Sequence, residues 1–261
     1  VRAVIKLGGT LLETEASRRR LARELAQVAS DGARLVVVHG GGKQMSRFLA
    51  DRGVSSRFVN GLRVTTPEVL EAVLMVVAGS INRQLVATLI EAGAMAIGLS
   101  GVDGCLMETE PLSEELGAVG RPVRANSELL ELLTQHGYMP VVACVGGDRR
   151  GAIYNVNADQ MAAALAAGFR ADALILLTDV GGVLDGNGRP LPELTSNQAR
   201  QLIAEGIATG GMQAKLEAAL GALRAGVGRV LIAPGAETDV VPRLLAGEHV
   251  GTRLIEQETP S

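Results

Sequence analysis

The sequence predicts an α/β protein: a three-layer α/β/α sandwich with a mostly parallel central sheet. Strand-like and helix-like patterns alternate from end to end. Several of the strand-like runs close on glycine turns that lead directly into helices. At 261 residues the chain is long enough for one large α/β domain or two intimately packed lobes.

Composition narrows the class. Apolar residues make up 47% of the chain but aromatics only 2%, so the core must be Leu, Val, Ile and Ala. A net charge of -3, with both signs interspersed, argues against a nucleic-acid binder, and the absence of Trp argues against stacking platforms. No stretch of 18 consecutive apolar residues and no signal-peptide pattern is present, so a soluble cytoplasmic protein without membrane partners is expected. Cys105 and Cys144 lie in apolar surroundings without metal-ligand spacing and are expected to be small core residues. Gln257 to Ser261 reads as a loose tail.

The first buried strand is Arg2 to Leu7, running into Gly8-Gly9-Thr10. A glycine pair after a strand permits a tight turn and frees N–H groups to face an anion. Lys6 interrupts the apolar run near its carboxyl end. It is either a lysine snorkelling at a strand edge or a cation at the sheet edge where α/β ligands bind. Neither a G-x-G-x-x-G turn here nor a Walker A sequence anywhere is found. A helix follows from about Glu15 to Ser30, then strand Leu35 to Val38, then His39-Gly40-Gly41-Gly42-Lys43 opening a helix through Met45, Phe48 and Leu49. This is a second strand–glycine–helix anion site. Lys43 reads as solvated, since the helix dipole opposes a cation there, and His39 as a strand-end spacer.

Asn60-Gly61 is a hairpin turn between Arg57-Phe58-Val59 and Leu62-Arg63-Val64. A short arginine-bearing hairpin beside a glycine-rich site suits a lid over a carboxylate, which the planar guanidinium binds bidentately. Pro67 starts a helix through Leu70, Val73, Leu74 and Val77, and a second helix runs from about Ile81 to Glu91. Ala94 to Leu99 is a third buried strand. Residues 105–125 are hairpin material, Glu128 to His136 is helical and Tyr138 to Val145 is a strand.

Tyr154-Asn155-Val156-Asn157-Ala158-Asp159-Gln160-Met161 precedes an alanine-rich buried helix. Asn157 is a good N-cap and Gln160 completes an Asn-x-x-Gln box, which leaves Asn155 unexplained and Asp159 only partly explained. A solvated helix start and three polar side chains converging on a ligand both fit. Ala173 to Leu177 is the next strand, followed by Thr178 to Asp185 and the turn Gly186-Asn187-Gly188. Helices follow at about Asn197 to Glu205 and from Gly211 onward, the latter with Met212, Leu216, Ala219 and Leu223 on one stripe. Lys215 sits in its first turn, beside Thr209-Gly210-Gly211. Val230 to Ala233 and Gly251 to Leu254 are the last strands.

Two early glycine turns, a third after Asp179, and two lysines at element ends suit a bridge between an anionic acceptor and a nucleotide phosphate. Such a transfer needs positioning and charge neutralisation more than covalent chemistry. Lys6 and Lys215 would flank the transferred group, with Asp159 holding both.

On these motifs the chain resembles the acetylglutamate kinases of the amino acid kinase family. The resemblance runs from Val4 to about Leu254. It rests on Lys6-Leu7-Gly8-Gly9, His39-Gly40-Gly41-Gly42, Asn60-Gly61-Leu62-Arg63-Val64-Thr65, Asn155-Val156-Asn157-Ala158-Asp159-Gln160, Thr178-Asp179-Val180-Gly181-Gly182-Val183-Leu184 and Gly210-Gly211-Met212-Gln213-Ala214-Lys215. It implies the amino acid kinase fold and transfer of the ATP γ-phosphate to the γ-carboxylate of N-acetyl-L-glutamate, in arginine biosynthesis. By similarity, Lys6, Lys215, Asp159, Gly9 and Gly41 are catalytic. Gly41, Gly42, Arg63, Asn155 and Asn157 hold the amino acid. Asp179, Val180, Gly181, Gly182, Val183, Leu184, Ile207, Ala208 and Thr209 line the nucleotide site. Residues 1–154 would form the amino-acid-binding and dimerisation lobe and residues 155–261 the nucleotide lobe, on one continuous sheet. Mg2+ would arrive with ATP, with no dedicated metal site.

Val102-Asp103-Gly104 stands where many relatives have Lys-Asp-Gly. The chain opens at its first strand, without the N-terminal helix of arginine-inhibited hexamers, so an arginine-insensitive homodimer is expected. The alternatives are a sister kinase of lysine biosynthesis acting on carrier-linked aminoadipate or glutamate, and a non-catalytic amino-acid sensor. A nicotinamide dehydrogenase lacks its fingerprint.

Overall fold

The computed structural model describes residues 1–59 and 61–256. Asn60 of the hairpin turn and the Gln257 to Ser261 tail lie outside the described residues. In chain order the elements are β1 (Arg2–Leu7), α1 (Glu15–Ser30), β2 (Arg34–His39), α2 (Gly42–Ala50), β3 (Phe58–Val59), β4 (Leu62–Arg63), α3 (Pro67–Val73), a π-helical stretch Leu74–Ile81 and α4 (Asn82–Glu91). Then come β5 (Ala96–Ser100), β6 (Met107–Pro111), β7 (Val119–Ala125), α5 (Ser127–Gln135), β8 (Met139–Ala143), β9 (Val145–Gly147), β10 (Ile153–Val156) and α6 (Ala158–Gly168). The remainder is β11 (Ala173–Thr178), β12 (Glu193–Thr195), α7 (Ser196–Ala204), α8 (Gly210–Arg224), β13 (Arg229–Pro234), α9 (Val240–Ala246) and β14 (Thr252–Ile255).

The main sheet has eight strands in the order β12-β14-β13-β11-β1-β2-β8-β5. From β13 to β5 every pairing is parallel. Two strands run the other way: β14 is antiparallel to β13, and β12 is parallel to β14. The parallel sheet predicted from the alternating pattern is therefore present. Its middle strands are apolar because helices cover both faces: Ala3, Val4, Ile5 and Leu7 of β1 are fully buried. On one side α1 packs with α4 and α9, while α6 packs with α8 and against β1 and β11. Strand order places the carboxyl ends of β1, β2 and β11 side by side.

Four strands, β10-β7-β6-β9, close into a separate small barrel. The β6–β7 hairpin was legible in residues 105–125, but the barrel was not. Its closure depends on glycine. A Cβ on Gly120 or Gly146 would fall 2.2 Å from Thr109 Cγ2 or 2.0 Å from Thr109 Oγ1, so no other residue fits this close approach.

Other expectations need correction. Tyr138 to Val145 is not one strand: the chain leaves the sheet at Cys144, and β9 joins the barrel. The third strand begins at Ala96 and is half-buried rather than buried, because it is the sheet edge. The helices expected at Pro67 to Val77 and Ile81 to Glu91 are one helical run. Gly79-Ser80 does not break it; the π-helical turn absorbs the pair, with Ser80 Oγ donating to the Val76 carbonyl at 3.1 Å. Cys105 is exposed in a turn at φ +52°, whereas Cys144 is buried. The capping box at Asn157 is half made: its side chain accepts from the N–H groups of Asp159 and Gln160, without a return bond from the Gln160 side chain. Lys215 stands in the second turn of α8, since that helix starts at Gly210.

Candidate active site

Lys6 is the penultimate residue of β1, so the strand carries its ammonium to the carboxyl edge of the sheet. Opposite, the Asn157 cap starts α6 so that Asp159 is the second helical residue, facing β1. The Asp159 carboxylate lies between two ammonium groups. Lys6 Nζ is 2.9 Å from Oδ1 and Lys215 Nζ is 3.5 Å from Oδ2. Both ammonium groups act on the carboxylate chiefly through their charge, with a smaller hydrogen-bonding contribution from each. Asp159 is 5% exposed and Lys6 6%.

Burial by itself pushes the Asp159 carboxyl up. The two lysines outweigh it, and the group sits below the usual carboxylate range. Lys215 is pulled below the usual lysine range, first by burial and then by Lys6, with Asp159 opposing. A carboxylate that stays ionised between one buried and one half-buried ammonium group is an arrangement built to hold positive charge at one point.

Two glycine turns meet beside this triad. A Cβ on Gly9 would lie 3.4 Å from the Gly42 nitrogen, so the backbones after β1 and β2 approach closely. Gly41 caps α2 and also packs against the π-helical stretch, where a Cβ would fall 2.5 Å from Ile81 Cδ1. Among the described residues the N–H groups of Gly9, Gly41 and Gly42 have no protein acceptor, leaving them to an anion.

The β3–β4 hairpin folds over the site, with Gly61 at φ +79° against the Gly210 backbone at the start of α8. Arg63 is nearly buried. It donates to Ser56 Oγ, to Ser46 Oγ at 2.8 Å and to the Gly42 carbonyl at 3.2 Å, and lies 4.6 Å from the Phe58 ring centroid. Asn155, on β10, donates to Thr65 Oγ1 at 3.1 Å. Lys6, Gly9, Gly41, Gly42, Arg63, Asn155, Asn157 and Asp159 all line one cleft of about 220 Å³.

A second cavity of about 420 Å³ is lined by Val180, Gly182, Val183, Leu184, Ile207 and Ala208. Its rim is apolar, and Val180, Leu184 and Ile207 are exposed there. Asp179, Gly181 and Thr209 do not line it. Asp179 instead supports the charge of Lys215, and Thr209 is the N-cap of α8 without a side-chain bond. The two cavities are linked through the triad: Lys6 and Asp159 line the first, and Lys215 lies one turn from Met212, which lines the second.

Lys43 is exposed, as read from the helix dipole. Cys144 touches the cleft, but burial pushes its thiol up to about 11, which makes it a poor nucleophile. The polar residues that sequence reasoning missed are Asn82 and Thr65, both fully buried. Asn82 shares an i, i+3, i+7 stripe with the buried Leu85 and Leu89, and a polar residue on such a core stripe was the available signal.

The sequence profile of the family described as the amino acid kinase family matches residues 1–234. The chain is 58% identical, over 98% of its length and 99% of the relative's, to an acetylglutamate kinase of Solibacter usitatus (strain Ellin6076). It is 43% identical, over 98% and 99%, to one of Koribacter versatilis (strain Ellin345). Among solved structures it resembles smu.665 from Streptococcus mutans UA159, with a TM-score of 0.86 and 30% identity over 97% of this chain and 98% of that one.

Proposed function

The chain belongs to the amino acid kinase family, and on that premise we propose that it acts as an acetylglutamate kinase. It transfers the γ-phosphate of ATP to the γ-carboxylate of N-acetyl-L-glutamate, giving the acyl phosphate and ADP. The observation that carries this reading is the buried Lys6–Asp159–Lys215 triad between a cation-lined cleft and an apolar cavity. The names of the relatives favour the free acetylated amino acid over a carrier-linked substrate or a sensor role.

The acceptor is already an anion at neutral pH, so no general base is required. One carboxylate oxygen attacks the γ-phosphorus while the bond to the β,γ-bridging oxygen breaks. Negative charge spreads over the transferred group and the departing ADP. Lys6 neutralises it on the acceptor side and Lys215 on the nucleotide side. Asp159 keeps both ammonium groups placed and charged. The N–H groups of Gly9 and Gly41 donate to the anionic oxygens, Gly41 and Gly42 with Arg63, Asn155 and Asn157 hold the amino acid, and Arg63 takes its α-carboxylate. Val180, Gly182, Val183, Leu184, Ile207 and Ala208 hold the nucleotide, with Asp179, Gly181 and Thr209 of the same two loops outside its cavity, and the nucleotide brings Mg2+ with it as part of the substrate. Residues 1–154 serve the amino acid and residues 155–261 the nucleotide.

A homodimer completes the reading. The Pro67–Glu91 helical run is apolar enough to cross a membrane by length and composition alone, yet only 39% of its most apolar window is buried within this chain. Met75, Ile90 and Met95 are exposed beside the edge strand β5. A second copy covering this face accounts for both.

The test is trapping of acyl phosphate by hydroxylamine with MgATP and either N-acetylglutamate or free glutamate. Hydroxamate with the acetylated substrate alone is expected. No product with either, despite saturable binding, would overturn the reading.

A further inference from the structure

The reaction has no task for His39, yet this side chain is fully buried at the end of β2, next to the glycine turn. Its Nδ1 lies 3.0 Å from the Gly40 carbonyl oxygen, and its Nε2 lies 2.9 Å from Asn82 Nδ2. Asn82, also fully buried, donates from the same nitrogen to the Val141 carbonyl at 2.9 Å. Its Oδ1 accepts from Arg83 Nη2 at 2.6 Å.

Donor and acceptor chemistry gives this chain one direction. A guanidinium only donates, so Asn82 must turn its oxygen to Arg83 and its NH2 to His39 and Val141. An amide NH2 only donates, so His39 Nε2 accepts and the ring proton sits on Nδ1. Nδ1–H therefore donates to the Gly40 carbonyl. Burial holds the imidazole at about 4, so this neutral form persists at neutral pH. A peptide is planar and trans, so a Gly40 carbonyl drawn toward His39 sends the Gly41 N–H the opposite way. That N–H has no protein acceptor among the described residues, and Gly41 lines the cleft. Val77 and Ile81 of the π-helical stretch close on the Gly41 α-carbon from another side.

We propose that His39 and Asn82 are positioning residues that lock the Gly40–Gly41 peptide, keeping the Gly41 N–H aimed at an anionic oxygen of the reacting group. A linkage between two glycines is intrinsically soft, because neither residue has a Cβ to restrict it. Turned over, it would present a carbonyl oxygen to developing negative charge. The proposal rests on the kinase reading for the identity of that anion, but the direction of the chain does not.

Two nearly isosteric variants test it. His39→Asn can place an amide donor near the Nδ1 position, and His39→Leu cannot. With acyl phosphate formation as the readout, His39→Leu is expected to lower kcat about 100-fold with little change in KM, the usual cost of losing one oxyanion donor. His39→Asn should restore kcat to within about tenfold of the parent. Equal losses in both variants, or an effect on KM alone, would overturn the proposal.

A second measurement needs no buried substitution. The exposed His136 and His249 are replaced by Gln, leaving His39 as the sole histidine. Nitrogen-15 NMR of the ring should then find the proton on Nδ1. A proton on Nε2 reverses the chain and overturns the proposal, whatever the activity. If the parent protein makes no acyl phosphate, the kinase reading fails, while the tautomer still decides the direction of the hydrogen bonds.

Discussion

Asp159 concentrates the chemistry of the site in one carboxylate. Its lysine partners stand 2.9 and 3.5 Å away, and both are largely shielded from water. If they clamp the transferred group, Lys6→Ala or Lys215→Ala should lower kcat by about 10³-fold with modest change in KM, as for other cations acting on a transferred phosphoryl group. Asp159→Asn keeps the shape but removes the charge that opposes burial at Lys215. The expected result is a severe loss of kcat and a pH–rate profile whose alkaline limb moves to lower pH. Arg63→Ala should chiefly raise KM for the amino acid; a pure kcat effect would contradict its assignment to the α-carboxylate. His39 adds a pH dependence of stability. Burial lowers it from 6.5 to about 4 in the native state, so below 6.5 the unfolded chain takes up the proton first. Its contribution is complete above pH 6.5 and is lost as the pH falls toward 4, on the order of 3 kcal/mol in all. Urea unfolding as a function of pH should show this loss in the parent, and His39→Leu should lack it.

The elements were legible where a single local signal governed them. The helix expected from about Glu15 to Ser30 is present with those bounds, ended by Gly32, and the structure adds the cap: the Thr14 side chain accepts from the Ser17 N–H. The helix after Asn157 follows from its cap in the same way. Legibility failed where packing overrode the local signal. Two helices were expected, through Val77 and from Ile81, but both of these residues are buried in the core and the helix continues between them as a π turn. That turn is what brings Val77 and Ile81 against Gly41. Gly41→Ala would set a Cβ 2.5 Å from Ile81 Cδ1 and 3.1 Å from Val77 Cγ2. The α2 start must shift to relieve this, so the variant should fold and lose activity; an additional Ile81→Ala should restore part of kcat. No restoration would mean that the clash is not the cause.

At the scale of the whole molecule, the exposed apolar face of the Pro67–Glu91 run sets the expected assembly. Gel filtration should give a dimer, and Met75→Glu with Ile90→Glu should give monomers; an unchanged mass would place the interface elsewhere. The alternating pattern determined the parallel sheet, since strands buried on both faces and amphipathic helices leave few other ways to cover apolar surface. It also put Lys6 and the glycine turns at strand ends, where side chains and N–H groups face a shared edge. The family motifs marked Asp159 and Lys215 without showing how close they stand. What the sequence could not determine was any pairing between distant segments. The barrel needs β10 beside β7 and β9, and the triad needs α8 to bring Lys215 to α6. The lock on Gly40 needs Asn82 to meet His39 across 43 residues. Local propensity carries no record of such partners. They are selected only when the apolar faces pack together and each buried polar group must find its bond inside the protein.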